Sequence, residues 1–158
     1  MLIVIAIIGA LSAVMSVSIT RSNARARAKA VAIVTNVSTC RSAAALYYME
    51  IFGSNDVKSE KQKVTAFLPT DGDSEYVPSW SDFRTGNINY SATGDIPSEW
   101  TVTVDFTNDS DHDDIASVLA GIKGYSAVKG KNSFKVTLLS GKVEGVATSG
   151  GGGETTTP

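Results

Sequence analysis

The chain lacks the residues that most catalytic and metal sites need. Its 158 residues include one histidine, His112, and one cysteine, Cys40. One residue of each type gives no basis for a Ser-His-Asp set, a Cys-His pair or a histidine-rich metal site. No intramolecular disulfide is possible, and the glycine run at 150–153 precedes no helix and so forms no phosphate loop. The sequence therefore gives no support for an enzyme or for a bound cofactor.

Charge is also sparse. The formal net charge at pH 7 is -2, and charged residues make up 19% of the chain. A nucleic-acid-binding domain usually carries a basic footprint, which this composition does not have. The length fits one domain better than two. We therefore expect a single small domain with no nucleic-acid partner.

Residues 1–20 contain no charge, and the first ionisable side chain is Arg21. An apolar run of about 20 residues is long enough, as a helix, to cross a hydrocarbon core of about 30 Å. A cleaved signal peptide is an alternative, since small-residue patterns occur at 12–14 and 16–18, but no basic region precedes the run. We expect the run to be retained and to be buried by something outside this chain.

Helix breakers are missing from the first third of the chain. No proline precedes Pro69, and no glycine lies between Gly9 and Gly53. This pattern predicts one continuous helix from Leu2 to about Phe52, roughly 75 Å long. Its second half carries an apolar stripe with spacings of three and four, which is typical of a helix face that packs on a sheet. The stripe comprises Ala30, Ile33, Val34, Val37, Cys40, Ala44, Tyr47 or Tyr48, and Ile51.

A basic collar follows the apolar run, formed by Arg21, Arg25, Arg27 and Lys29. We interpret it as a solvated helix face that is attracted to anionic lipid headgroups. The positive-inside rule, taken alone, places such a collar in the cytoplasm. Cys40 lies farther along, within the apolar stripe, and is interpreted as a small core residue rather than a reactive thiol.

Residues 54–99 form a long connector of weak periodicity, with possible short strands at 64–68 and 87–90. Its aromatic residues indicate that it is tied down by burial rather than disordered. Residues 100–106 alternate cleanly between apolar and polar, which predicts a half-buried strand. The connector aromatics are Tyr76, Trp80, Phe83 and Tyr90.

The rest of the chain predicts a short helix and further strands. The helix spans 115–122, is closed by Gly124, and has Asp111 or Asp113 as its N-cap. Strands are predicted at 125–128 and 133–139, joined by a turn at 129–132, with a further strand at 143–146. Residues 147–158 have linker composition. The fold class is therefore α+β, with a long helix (1–53) packed on a small antiparallel head (54–146) whose sheet and short helix lie in 100–146.

Two acidic clusters are candidates for calcium, because alternating carboxylates in a loop suit a hard cation that takes only oxygen ligands. The alternative for each cluster is a solvated turn with a helix cap. The first has the opening spacing of a calcium loop but not its closing glutamate. The candidates are Asp71, Asp73 and Glu75 in the first cluster, and Asp109, Asp111, Asp113 and Asp114 in the second.

The opening MLIVIAIIGAL resembles the N-terminal segment of bacterial type IV pilins and of the pseudopilins of type II secretion. The match is specific from Leu2 to Gly9; beyond Thr20 only the architecture is similar. The resemblance implies that the apolar half-helix anchors the subunit in the inner membrane and, after processing, forms the core of an extracellular filament. The residues implied in that core and membrane segment are Leu2, Ile3, Val4, Ile5, Ala6, Ile7, Ile8, Gly9, Ala10, Leu11, Val14 and Val17.

The chain departs from the family pattern in several ways. Met1 stands where the family has the residue after a glutamate, so we expect a late start or a truncation that omits the leader, the cleavage glycine, the methylated residue and the glutamate. Many major pilins carry a proline shortly after the apolar run, whereas the first proline of this chain is Pro69. The two C-terminal cysteines of many pilins are also missing, so packing alone must hold the end of the head.

The sequence thus predicts a pilin, a structural subunit of a helical filament made of identical copies. Its partners would be other pilins and the inner-membrane assembly machinery, and it would lie in the inner membrane before assembly and at the cell surface afterwards. A pseudopilin of a type II secretion system is one alternative. A bitopic, membrane-anchored binding domain with a monomeric head is the other.

Overall fold

The computed structural model describes residues 24–54 and 58–146, so the predictions made for 1–23 and for the tail at 147–158 lie outside the described residues. The described residues form an α+β fold with two α-helices and four strands. The helices are α1 (Ala24–Gly53) and α2 (His112–Ala120). The strands are β1 (Asn89–Thr93), β2 (Thr101–Asp105), β3 (Ser133–Thr137) and β4 (Val143–Val146).

Helix α1 runs for 30 residues and ends at Gly53, where the sequence predicts the stop. Its buried residues recur at intervals of three and four, so one face packs on the head. The predicted stripe is confirmed with small changes, since Val34 is only half-buried whereas Ala26 and Ala43 join the buried face. The buried residues are Ala26, Ala30, Ile33, Val37, Cys40, Ala43, Ala44, Tyr47 and Ile51.

The four strands form one antiparallel sheet in the order β1-β2-β3-β4. The predicted alternation of β2 is confirmed: Val102 and Val104 are fully buried, as are the flanking Trp100 and Phe106. These side chains form the core with the inner face of α1 and with the buried residues of β3. Strand β1 lies two residues later than predicted, so the sheet starts at Asn89, inside the stretch that the sequence assigned to the connector.

The strand predicted at 64–68 is wrong. This stretch holds a short 3-10 helix, Val64–Ala66, followed by a turn. The amides of Phe67 and Leu68 donate to Val64 O, at 3.1 and 2.9 Å, so local turn bonds replace a strand ladder. Val64, Phe67 and Leu68 are nevertheless buried. The apolar run reports burial correctly, but a run this short does not distinguish a strand from a tight turn.

The strand predicted at 125–128 is also wrong. A 3-10 helix, Ser126–Val128, occupies it, and the amide of Val128 donates to Tyr125 O at 2.9 Å. The turn at 129–132 therefore leads into β3 without closing a hairpin. Strand β4 has the bounds that the sequence predicted, 143–146, and it completes the four-stranded sheet by pairing with β3.

Helix α2 begins at His112, three residues before the predicted start, and ends at Ala120 with Gly121 as its C-cap. Asp111 occupies the N-cap position, but its side chain makes no capping hydrogen bond. Ile115, Ala116 and Leu119 are buried, and α2 packs against α1. This contact places the acidic loop before α2 next to the beginning of α1.

The connector is an ordered layer rather than a free loop. Trp80 and Tyr90 are buried, and Tyr76 and Phe83 are half-buried, as their aromatic character predicted. The indole of Trp80 donates to Pro69 O at 2.8 Å, which satisfies its buried N–H. Within 24–54 and 58–146, no helix is both long and apolar enough to cross a bilayer.

Candidate functional site

Helix α1 is fixed to the head near its beginning by an ion-pair cluster. Lys29 Nζ lies 2.6 Å from Asp109 Oδ1 and 2.8 Å from Asp111 Oδ2. Hydrogen bonds to Asp109 and then to Asp111 raise the pKa of Lys29. Burial raises the pKa of Asp109, but hydrogen bonds from Lys29 and from the Asp111 amide outweigh burial, so the net pKa is lowered. The cluster joins the helix to a loop 80 residues away in sequence.

The carboxylates of the second acidic cluster have different surroundings. Asp109 is only 4% exposed, so it is not part of a solvated turn, and the ammonium of Lys29 engages an oxygen of Asp109 and one of Asp111. Asp113 points into solvent, with a side chain 90% exposed, and Asp114 is exposed as well. The ammonium of Lys29 thus contacts two carboxylates for which the sequence predicted a calcium ion as a partner.

The first acidic cluster is dispersed. Asp73 Oδ1 accepts hydrogen bonds from the amide and hydroxyl of Ser81, and the hydroxyl contact is the main cause of the lowered pKa of Asp73. Asp71 and Glu75 are exposed. Among the described residues, no three His, Cys, Asp or Glu side chains converge to hold a metal ion.

Polar contacts continue along the middle of α1. Asn36 Nδ2 donates to Tyr90 Oη at 3.2 Å, and burial raises the pKa of Tyr90. Arg41 Nε donates to Leu138 O at 3.1 Å, and its guanidinium lies where a side chain at Gly141 would stand. These bonds fix the rotation of α1 relative to the sheet.

The thiol of Cys40 belongs to the interface between α1 and the sheet. Cys40 is fully buried, and that burial raises its pKa to about 12. A thiol with so high a pKa forms little thiolate at neutral pH. The interpretation of Cys40 as a core residue is confirmed.

Aromatic packing fixes the last two turns of α1. The ring of Tyr47 stacks on Phe67, with centroids 4.9 Å apart, and its hydroxyl donates to Lys61 O at 2.9 Å. The Tyr76 hydroxyl donates to Glu50 Oε2 at 2.6 Å, and this bond is the main reason that the pKa of Tyr76 rises to about 12. The end of the helix is therefore tied to the connector as well as to the sheet.

The outer face of these last turns is apolar and uncovered. Leu46 and Met49 are 58% and 62% exposed, and Tyr48 and Phe52 are 38% and 40% exposed, with their rings 4.4 Å apart. We call the exposed large hydrophobic side chains of the described residues the apolar end of the head. They are Leu46, Tyr48, Met49, Phe52, Ile96 and Leu139.

Sequence reasoning missed the apolar end. The predicted apolar stripe covers one face of the helix, and it left open whether Tyr47 or Tyr48 belongs to that face. The available signal was the stretch 43–49, in which apolar residues occupy every position around the helix. Such a helix needs burial on more than one face.

The predicted filament-core residues, from Leu2 to Val17, precede α1 and lie outside the described residues. The site therefore consists of a helix held rigidly to its head, with an exposed apolar surface near its end. No protein-family model, curated protein or solved structure matches this chain.

Proposed function

We propose that this protein is a structural subunit of an extracellular filament of the type IV pilin kind, with its long N-terminal helix as the assembly element. One observation carries the proposal. Helix α1 buries a single face against a four-stranded antiparallel sheet, and its first described residue, Ala24, lies four positions after the uncharged run at 1–20 in the sequence. A rigid head on an apolar stem is the arrangement that the sequence resemblance implies.

The contacts along α1 support this function mechanically. Ion pairs at Lys29, the hydrogen bond from Arg41 and the stacking of Tyr47 tie the helix to the head at three levels. A subunit that bears load through a bundled stem needs this coupling, because force on the helix must reach the head without unfolding it.

The chemistry of the run at 1–20 supports self-assembly. It is apolar all round, and small residues let neighbouring backbones approach closely. Copies that join through different surfaces add without closing, which produces a filament. The small residues are Ala6, Gly9, Ala10, Ser12 and Ala13.

Shearing of intact cells tests the proposal. We expect the protein in the sheared fraction as filaments visible by electron microscopy and labelled by an antibody against the head. Ile7→Lys should remove it from that fraction, because a charge in an apolar bundle is costly. The matched control is Ser38→Lys, at an exposed position of α1.

Two results would contradict a pilin. A protein that stays in the membrane as a monomer under assembly conditions would favour the anchored binding domain. Filaments confined beneath the outer membrane, and formed only with an active secretion system, would favour a pseudopilin. Mass spectrometry of the N-terminal peptide adds an independent readout, since a methylated aromatic residue upstream of Met1 is expected in a processed pilin.

A further inference from the structure

The residues of the apolar end lie together at one end of the molecule. Thr101 of β2 pairs with Thr93 of β1 and with Thr137 of β3. The β1–β2 and β3–β4 connections therefore lie at the same end of the sheet, where these three residues end or begin their strands. These connections carry Ile96 and Leu139. The last turns of α1 lie at this same end of the sheet.

Two contacts place α1 there. Arg41 donates to Leu138 O, next to Leu139, and the Tyr48 ring lies 6.4 Å from that of Trp100, which directly precedes β2. The exposed hydrophobic side chains of the described residues are therefore concentrated at the end of the head where α1 terminates. Concentration of apolar surface at one place is typical of an interaction site.

The opposite end of the head is charged. It carries the Lys29 cluster, the exposed carboxylates of Asp113 and Asp114, and the exposed Arg25. A head-to-tail contact between two heads would place the apolar end against these charges and desolvate them without partners. An apolar occupant avoids this cost, and within this chain the apolar candidates are the run at 1–20 and the apolar end of another copy.

The run of the same chain is a poor occupant. Ala24 begins α1 at the charged end, and Leu46 lies about 33 Å farther along the helix at 1.5 Å per residue. The exposed face between them carries alanines and several polar side chains, among them Thr35, Ser38 and Ser42. A run that doubled back would cover these polar groups with apolar side chains.

We propose that the apolar end of each copy receives the uncharged run, residues 1–20, of another copy. This inference rests on the proposed function and names the surface of the head through which copies join. In a chain of copies joined this way, the copy at one end has an uncovered apolar end and the copy at the other end has an unbound run. Further copies can therefore add at both ends. Pairing of two apolar ends would instead close at a dimer.

Cross-linking between differently tagged full-length copies tests the contact in cells that assemble the protein. One copy carries Met49→Cys and the other carries Val14→Cys, and a short bismaleimide joins thiols that lie close together. Native Cys40 does not interfere, because it is fully buried. The control replaces Met49→Cys by Asp114→Cys at the charged end.

We expect a cross-link between the two tags for Met49→Cys with Val14→Cys, and none for the control pair. A Met49 to Met49 cross-link would overturn the proposal in favour of paired apolar ends. A cross-link that forms only when one chain carries both cysteines would overturn it in favour of the chain's own run.

Different results would contradict the filament function and the contact proposed here. Filaments without the Met49 to Val14 cross-link would overturn this contact and leave the filament function standing. The cross-link between tags without filaments would support the contact and contradict the filament function.

A polar version of the surface gives a second readout. Leu46→Gln with Met49→Gln should lower the amount of sheared filament at least about tenfold. The unfolding temperature should stay unchanged, since both side chains are largely exposed. Thr35→Gln with Ser38→Gln, on the polar face of the same helix, is the matched control. Unchanged filament yield in the Leu46/Met49 variant would overturn the proposal.

Discussion

Lys29 of α1 and Asp109 of the loop before α2 form an ion pair between the long helix and its head, with Nζ 2.6 Å from Oδ1. Asp109 is nearly buried, and Lys29 is the cation that balances its charge. The pair anchors the beginning of the described helix to the far end of the sheet. Lys29 thereby engages an oxygen on each of two predicted calcium ligands, Asp109 and Asp111.

Replacing Lys29 should weaken the fold. Lys29→Met leaves the Asp109 carboxylate buried without its counter-ion, and we expect a loss of about 2 kcal/mol in the free energy of unfolding. Urea unfolding of the full-length chain in detergent measures it. Arg25→Met, at an exposed position one turn earlier, is the control and should change little. Equal effects in the two variants would contradict a specific role for Lys29.

The same pair predicts an acid-sensitive stability. The pKa of Asp109 is lowered in the folded state, so its contribution is present above the unfolded carboxyl pKa of about 3.9 and is lost as pH falls through the lower folded value. Asp109→Asn should therefore be less stable than the wild type at neutral pH. The gap in unfolding temperature should narrow below about pH 4. A gap that is constant with pH would exclude an electrostatic origin.

The adjacent tyrosines should respond differently to loss of the hydroxyl. Tyr47→Phe removes the donor to Lys61 O and should cost about 1 kcal/mol. Tyr48→Phe, at a position 38% exposed, should change stability by less than about 0.5 kcal/mol. Thermal unfolding of the two variants, measured side by side, checks the prediction. A larger effect at Tyr48 would mean that α1 is rotated about its axis.

Cys40 should be inert in the folded protein. Its burial, with a pKa near 12, predicts no reaction with a thiol reagent until urea unfolds the chain. Cys40→Ser should destabilise by about 1–3 kcal/mol, because it buries a hydroxyl, and Cys40→Ala should cost less. Rapid labelling under native conditions would contradict the interface between α1 and the sheet.

Gly94 should not tolerate a side chain. Its φ is +135°, and a Cβ there would lie 2.5 Å from Glu99 O and 2.9 Å from Trp100 Cα, so Gly94→Ala should cost at least about 2 kcal/mol. Gly86→Ala is the matched control, since its nearest neighbour would be 3.7 Å away. Comparable unfolding temperatures for the two variants would show that the connection between β1 and β2 is free to rearrange.

Several features follow from the sequence alone. The absence of proline before Pro69 and of glycine between Gly9 and Gly53 predicts the long helix. The alternation at 100–106 predicts β2, and the stripe of small and apolar residues predicts the helix face that is buried. These patterns succeed because periodicity acts locally: side chains recur every 3.6 positions in a helix and every two in a strand. Loop carboxylates carry no such period, and the calcium hypothesis arose there.

Tertiary structure alone decided the rest. Tyr47 and Tyr48 have similar local patterns, and only the position of Phe67 and Lys61 determines which ring is buried. The pairing of Lys29 with Asp109 spans 80 residues and depends on where α2 packs. The stretches at 64–68 and 125–128 form 3-10 turns, whose amides bond to nearby carbonyls in the sequence, and their buried residues are Val64, Phe67, Leu68 and Val128. Periodicity in the sequence determined the long helix and β2, because it acts between near neighbours in the chain. Packing between distant elements determined which side chains contact one another.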